Sequence, residues 1–525
     1  MPLSLAQFSS FVPSDITLPG SIPAGRAAAL ACAATLGLLV LKYNDRAIFT
    51  ERPKGAPFEH SLPLLGSLLD VIKHKDDFHD MFLHLMEKHN TMTIGSSSIG
   101  SSSSILTINP LNVEHVLKNN FSNYIKGAEQ LSSMQDLFGH GIFTADGEQW
   151  RFQRKAASLI FNVANFRDHY VKVFVEEFDV MANNIFDKKA SSGKPVDFHD
   201  VIYKYTLDSF VLIGFGKKLN SLLSQKKVPF AESFDICQRN CSDRFINPFT
   251  DLFDVLKGVF QPGAMRIKDH IQVVDDFTYS LIRERREQVE KGGEFNDLMA
   301  RFMSARNTQG RPLDDVELRD MILNFIIAGR DTTAQALSWL LYNVLLHPRI
   351  EEKLVEEIDR VLPDAKVLDG PELYEVVKKL PYAHAVFYET LRLYPSVPSN
   401  GKVAIEDDIL PDGAHVKKGM EVSWSPYAMG RSEKVWGPDA KSFVPGRWIK
   451  IDGTLRRESQ GKFPAFHGGP RVCLGQELAK LEAIVALALI LKRYKFSLVP
   501  DQKVAYETSL TCPMKNGLHV TVERR

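Results

Sequence analysis

Cys473 stands in a run of residues, 463–477, that is packed with glycine and proline and turns helical immediately after the thiol. A thiolate at such a junction receives backbone N–H groups from the turn and the positive end of the following helix, and both stabilise a deprotonated sulfur. That chemistry prepares a sulfur ligand for iron. The alternative is an inert buried thiol, the ordinary state of a lone cysteine. The other cysteines, Cys32, Cys237, Cys241 and Cys512, show no disulfide-like rhythm, so the body is expected in a reducing compartment. Cys237 and Cys241 lie four apart on an expected helix, but no neighbouring ligand completes a metal site there.

A second group with chemical potential lies in residues 321–346, which read as one long buried helix bounded by His347 and Pro348. Gly329, Asp331, Thr332 and Thr333 interrupt its apolar run at the middle, and buried polar residues need partners and often mark function. Ala328 and Gly329 are expected to leave space beside the helix, with the Asp331 acid and the Thr332 alcohol presented to it. A hydrogen-bonded kink without chemistry is the alternative. Trp150 and Arg154, one helical turn apart after a glycine-rich segment, point at one partner. Glu389 and Arg392, three apart before Pro395, have ion-pair spacing, although most such pairs are solvated surface decoration.

Taken together these segments resemble the cytochrome P-450 family of haem-thiolate monooxygenases. Phe466, Gly469, Arg471, Cys473 and Gly475 occupy the fixed places of F-x-x-G-x-R-x-C-x-G; residues 328–333 read A-G-x-D-T-T; Phe443, Pro445, Arg447 and Trp448 supply F-x-P-x-R-W beside the E-x-x-R pair. The resemblance spans residues 50–522. It implies that Cys473 is the axial ligand of haem b, where a thiolate pushes electron density onto iron and favours O–O cleavage. Phe466 then covers the sulfur face of the haem, Gly469 and Gly475 let the backbone approach, and Arg471, Trp150 and Arg154 meet the propionates. It further implies that Ala328 and Gly329 border the haem, that Asp331 and Thr332 deliver protons to oxygen, and that Glu389, Arg392 and Arg447 hold the scaffold of the cysteine loop. The usual glutamate of the last motif is Gly446 in this chain.

The elements that must carry these groups are mainly helical, with a small β-rich lobe, and by resemblance they form the P-450 fold with haem between the Thr332 helix and the Cys473 loop. Val171, Phe174, Val175 and Phe178 recur at helical spacing, with Phe166 and Tyr170 extending the same face. Apolar and hydroxylated residues alternate on both sides of residues 95–104 and predict a β-hairpin. Residues 395–423 and 494–522 alternate turn signals with short apolar runs, as small antiparallel sheets do. A 44% hydrophobic content suits a large core, and 64 basic against 64 acidic residues give no attraction to nucleic acid. The 33 phenylalanines fit an apolar chamber, although core packing accounts for most of them.

Residues 27–41 form an apolar run somewhat short of the ~20 residues that span a bilayer. Only Asp15 and Arg26 carry charge before it, whereas Lys42, Arg46, Arg52 and Lys54 follow. This asymmetry predicts a single-pass anchor in the endoplasmic reticulum membrane with the body cytosolic. A cleaved signal peptide is the rival, and a mitochondrial presequence would be richer in arginine. The expected organisation is an anchor region over 1–49, a proline-rich hinge over 50–66 and a monooxygenase domain over 67–525.

No nicotinamide or flavin fingerprint occurs, so electrons must come from a partner. The resemblance implies a membrane-bound NADPH-cytochrome P-450 reductase, to which Arg151, Lys155, Arg456, Arg457 and Lys462 offer a basic face. Within the family the chain looks like the fungal and plant branch that hydroxylates fatty acids and alkanes near the chain end. Apolar Leu137, Phe138, Ile142 and Phe143, and Val397 and Pro398, are the expected lining of the substrate chamber. A sterol or secondary-metabolite monooxygenase is the alternative. A reductase-independent isomerase or dehydratase, or a haem carrier, would have less use for the Asp331–Thr332 pair. Ala328 stands where animal ω-hydroxylases often carry a glutamate, so no covalent haem ester is expected.

Overall fold

The computed structural model describes residues 24–161, 163–224, 228–362 and 370–525. Residues 1–23, with the Asp15 of the charge argument, lie outside the described residues. One helix, Asp315–Leu346, runs through the middle of the fold and is called the central helix below. It begins earlier than its apolar pattern alone predicts because a capping box starts it: the Asp314 carboxylate accepts from Glu317 N at 2.9 Å and the Glu317 carboxylate from Asp314 N at 3.0 Å. His347 ends it, and Pro348 opens the next helix, Pro348–Val361. Helices Phe198–Phe215, Ile267–Glu290, Pro381–Leu393 and Gln476–Arg493 pack around it, so it is buried on most sides and has no polar stripe.

Two apolar clusters divide the central helix between them. Leu318 to Ile327 belong to one, with Phe138, Phe210 and Phe234, and Ala334 to Val344 belong to the other, with Phe174, Phe387 and Ile484. The break between the clusters falls at Ala328–Thr333, the stretch whose polar residues stood out in the sequence.

The β-rich lobe contains strands β1 (Thr93–Ser96), β2 (Ser104–Thr107), β3 (Tyr124–Ile125), β4 (Val196–Asp197), β5 (Asn400–Ala404), β6 (Asp408–Ile409), β7 (His415–Val416), β8 (Glu421–Trp424), β9 (Tyr494–Leu498) and β10 (His519–Arg524). A five-stranded sheet has the order β1-β2-β8-β5-β3, a second sheet β4-β10-β9, and β6 pairs β7. The predicted hairpin is present, antiparallel with Ile94 opposite Leu106. Parallel pairing of β2 with β8 brings the hairpin to the C-terminal part of the chain.

The helix Ala24–Lys42 has 19 residues, about 28 Å at 1.5 Å per residue, and its described side chains are largely exposed, Leu30, Leu36, Leu38 and Leu41 among them. Immediately after it the chain is tied to the body. Ala47 is fully buried and donates its N–H to Ser97 Oγ at 3.1 Å; Leu64 N donates to Tyr43 O at 3.2 Å, and Ser61 N to Asp45 O at 2.9 Å. The proline-rich segment is thus laid against the β1–β2 hairpin and holds the helix to it.

Candidate active site

The Glu389–Arg392 pair is not surface decoration. Both side chains have no measurable exposure, and the guanidinium meets the carboxylate twice, Nε to Oε2 at 2.8 Å and Nη2 to Oε1 at 2.7 Å. Charges buried this deeply are stable only if their remaining hydrogen-bonding capacity is filled. Arg392 donates further to the carbonyls of Gly430, Ala440 and Ser442, and Glu389 accepts from Arg447 Nε at 3.0 Å, Trp448 Nε1 at 2.9 Å and Val444 N at 2.7 Å. Asp439 takes the outer side of Arg447 at 3.0 Å. Gly446 sits in open space, so the network closes without a glutamate there. Its result is a fixed relation between helix Pro381–Leu393 and the segment leading to the cysteine loop.

In that loop Cys473 N donates to Phe466 O at 2.9 Å, folding the chain back before helix Gln476–Arg493 begins. Cys473 retains accessible area although protein surrounds its sulfur closely enough to desolvate it. Burial pushes the thiol up from its ordinary range, while the Gly475 backbone and the charge of Arg154 pull it down. Arg471 donates to Asp146 Oδ1 at 2.6 Å and Ala145 O at 2.9 Å and stacks over Trp150, 4.5 Å from the ring centroid; Arg154 lies 5.9 Å from the same ring. Trp150, Arg154, Arg471 and Cys473 therefore share one neighbourhood.

Three basic residues that sequence reasoning missed join them. Lys126 backs onto the same Asp146 through its backbone N–H, Lys402 is buried on β5, and His467 lies in the cysteine loop against Trp424. Burial and then the charge of Arg471 lower Lys126 to about 8 and Lys402 to about 7, and burial with both lysines drives His467 well below its usual range. Lys402 left one readable signal: a lysine at an inward position of a strand, in register with Val422.

Asp331 and Thr332 diverge. The Thr332 hydroxyl donates to Ala328 O at 2.8 Å, and Thr332 O accepts from Ser396 Oγ at 2.7 Å, which pins the segment after Pro395 to this turn. Asp331 is buried and accepts from Gln238 Nε2 at 2.9 Å, with Arg330 at 3.3 Å. Burial raises its carboxyl to about 6, against the pull of Arg330. Arg330 is held bidentately by Asp235, half-exposed on helix Pro229–Ile246. Gly329 does not leave open space as expected. The Phe210 ring packs against it so closely that any Cβ would collide, so its small size serves helix packing.

The Cytochrome P450 family model matches residues 56–519. Cytochrome P450 704B1 of Arabidopsis thaliana is 35% identical over 90% of this chain and 96% of its own length, and cytochrome P450 704C1 of Pinus taeda is 38% identical over 88% and 92%. The fungal cytochrome P450 monooxygenase cyp1 of Mycosarcoma maydis is 34% identical over 93% and 78%. The chain belongs to the cytochrome P450 family. It is accordingly an oxidoreductase, a haem-thiolate monooxygenase that takes electrons from a redox partner.

The residues of this cytochrome P450 fit that cofactor. Cys473 is a free thiol with accessible area, and Lys126, Lys402 and Arg471 are gathered around Asp146, with Arg471 Nε buried and unpartnered, an excess of cationic side chains suited to two propionates. Gly469 (φ +60°) lies where any Cβ would meet Leu117 O, whereas a Cβ on Gly475 would stand 3.9 Å from the Cys473 sulfur, an ordinary contact. Phe466 packs half-buried beside the loop.

Of the expected lining, Leu137 and Phe138 are fully buried and pack into the core, Phe138 edge-on to Phe143 and Phe234. Ile142, Phe143 and Val397 are only partly covered, and Pro398 is buried. Ile142, Phe143, Leu474 and Leu510, the last not singled out by sequence reasoning, are partly buried and each packs against the apolar cluster of the central helix. The loop before Phe143 is fastened to that helix. Asp320 accepts from His140 N at 2.9 Å, Asn324 Oδ1 accepts from Phe143 N at 3.0 Å, and Asn324 Nδ2 donates to Phe138 O at 2.9 Å. This approach requires Gly139 (φ +51°) and Gly141, since a Cβ at either would strike the Asp320 or Asn324 side chain.

Proposed function

We propose that this cytochrome P450 hydroxylates long-chain fatty acids or alkanes at or near the terminal carbon. The observation that supports the reading is that Ile142, Phe143, Leu474 and Leu510, all apolar, are only partly covered where they pack against the cluster of the central helix. An alkyl chain gains about 0.8 kcal/mol per CH2 buried there, and those side chains offer nothing to recognise a highly hydroxylated molecule. The resemblance to the fungal and plant fatty acid and alkane hydroxylase branch supports fatty acids over sterols.

Bound haem supplies the activation of O2, for the overall change R–H + O2 + two electrons + two protons to R–OH + H2O. Cys473 supplies the thiolate, and Lys126, Lys402, Arg471, Trp150 and Arg154 bind the propionate edge. Ala328 borders the reaction space. Thr332 and Asp331 move protons toward it, and Glu389, Arg392 and Arg447 keep the cysteine loop in place. Residues 1–49 anchor the protein in the endoplasmic reticulum membrane, 50–66 join anchor to body, and 67–525 form the cytosolic monooxygenase domain. NADPH-cytochrome P450 reductase docks on Arg151, Lys155, Arg456 and Arg457, which are exposed, and Lys462, paired with Glu458 at 3.3 Å.

Attack on a terminal methyl, the strongest C–H bond of the chain, requires a narrow channel that keeps methylenes away. The test is product analysis of purified enzyme with reductase against fatty acids, alkanes, sterols and aromatics. Fatty acids or alkanes are hydroxylated near the chain end, and Phe143→Ala shifts products toward in-chain positions. Turnover of a sterol or an aromatic but of no fatty acid or alkane overturns the substrate assignment. In sealed microsomes added protease degrades the body; its protection would refute the orientation.

A further inference from the structure

A continuous series of aromatic contacts starts on the central helix. Trp339 lies two turns beyond Thr332, about 10 Å along the axis. Its indole is buried and stacks on the Tyr394 ring at a centroid distance of 4.1 Å, with the planes 9° apart. The Arg431 guanidinium lies over two rings at once, 4.9 Å from the centroid of Tyr394 and 3.6 Å from that of Tyr427. Tyr427 in turn meets Tyr506 edge-on at 5.5 Å. Hydrogen bonds tie the inner end to the Thr332 turn. Ser396, in the segment that follows Tyr394, donates to Thr332 O at 2.7 Å, and Trp339 Nε1 donates at 2.9 Å to the carbonyl of Cys512, whose N–H reaches Ser396 O at 3.1 Å.

The outer end of the series is built differently. Tyr427 and Tyr506 are buried, yet both hydroxyls donate to one exposed carboxylate, Asp80 on helix Phe78–Lys88: Tyr427 to Oδ1 and Tyr506 to Oδ2, each at 3.0 Å. Burial holds both phenols far above their ordinary range, so neither gives up its proton at rest. A phenol that has lost an electron is a strong acid, and Asp80 is then in place to take the proton. Beside Tyr394 the charged group is the Arg431 cation, which disfavours a positive ring. Tryptophan and tyrosine yield one electron to a strong oxidant more readily than most side chains, and a haem monooxygenase generates such an oxidant whenever it activates O2 with no substrate in place.

We propose that Trp339, Tyr394, Tyr427 and Tyr506 form an electron path that returns an electron to the over-oxidised haem centre and leaves a neutral tyrosyl radical beside Asp80. The oxidant comes from the monooxygenase activity itself, so the inference goes beyond the substrate reading and holds for any substrate. In the step the O–H bond of Tyr427 or Tyr506 is broken. Its electron passes inward through Tyr394 and Trp339 and reduces the haem centre by one electron, and its proton passes to the Asp80 carboxylate. A soluble thiol or ascorbate then supplies one electron to the radical, and Asp80 returns the proton. An external reductant is consumed in place of the side chains around the haem.

The test treats purified, substrate-free holoenzyme with hydrogen peroxide, freezes it rapidly and records electron paramagnetic resonance; in a parallel sample a spin trap followed by peptide mapping locates the radical independently of turnover. Wild-type protein gives a tyrosyl signal that narrows when ring-deuterated tyrosine is incorporated, with adducts on Tyr427 and Tyr506. The protein carrying both Tyr427→Phe and Tyr506→Phe, which keeps the two rings, loses signal and adducts, and peroxide bleaches its haem faster. Asp80→Asn, which removes the proton acceptor, acts in the same direction, whereas Tyr374→Phe, on helix Gly370–Val377, changes nothing. Trp339→Phe interrupts the path at its inner end and lowers the radical yield at unchanged haem content. Ascorbate quenches the wild-type signal and slows bleaching there, but not in the doubly substituted protein. A tyrosyl signal that survives the double substitution, adducts confined to other residues, or no protein radical in a wild type whose haem is bleached overturns the assignment. Mapping the wild-type protein decides it even where a variant folds poorly.

Discussion

Asp331 accepts its hydrogen bond from Gln238, a residue of the helix lying across it, and so faces away from the turn in which the Thr332 hydroxyl bonds Ala328 O. An acid and an alcohol adjacent in sequence thus hold different surroundings. Arg330 links the acid to half-exposed Asp235. On the proposed relay, a proton passing from Asp331 to Thr332 requires Asp331 to exchange one of these partners. Thr332→Ala is therefore expected to retain haem and consume NADPH while releasing hydrogen peroxide, with product per NADPH falling about tenfold or more. Unchanged coupling would count against the role of the hydroxyl.

The buried Asp331 carboxyl also predicts a pH signature. Its folded-state value is raised from 3.8 to about 6, so the folded protein binds the proton more tightly than the unfolded chain does. Stability contributed by this group is complete below 3.8, declines as pH rises toward about 6, and stays at its lower level above. Asp331→Asn, which cannot ionise, should gain on the wild type across that window by on the order of 1–3 kcal/mol. Urea titrations of both proteins at several pH values measure it; parallel curves would refute the ionisation.

Glu389 serves five donors at once, two on Arg392 and one each on Arg447, Trp448 and Val444. Its removal leaves the buried Arg392 guanidinium without its counter-charge and the Trp448 indole N–H without its acceptor. Glu389→Ala should cost about 3–5 kcal/mol and yield protein poor in haem, read by urea midpoint and by haem content per chain. Glu389→Gln keeps the shape but loses the charge, and should fall between.

Cys473→Ala should lose the absorption that reduced, carbon monoxide-treated protein shows when haem is thiolate-ligated. Cys237→Ala and Cys512→Ala, which alter buried thiols away from the loop, should keep it. A wild-type spectrum typical of histidine-ligated haem would sink the assignment.

What the sequence disclosed was local. Cys473 with Phe466, Asp331 with Thr332, and Glu389 with Arg392 are separated by a few residues, so their spacing is a property of one turn or one helix. The β1–β2 hairpin was readable for the same reason. The pairing of Asp331 with Gln238 spans 93 positions and carries no periodic signature. Lys126, Lys402 and His467 come from three distant segments and meet only because β5 and the cysteine loop fold onto one side. Gly329 misled because an empty side chain looks the same in sequence whether it makes room for a ligand or for the Phe210 ring.

The loop before Phe143 is held by bonds from Asp320 and Asn324 to backbone groups, and none of them uses the side chains of His140, Ile142 or Phe143. Such a loop separates shape from identity. Gly139 and Gly141 are fixed by close approach, whereas the apolar positions Ile142 and Phe143 are open to exchange without loosening the fastening. Lineages that inherit this arrangement can change the width of the channel one residue at a time while folding stays intact, and new substrate preferences become accessible through neutral steps.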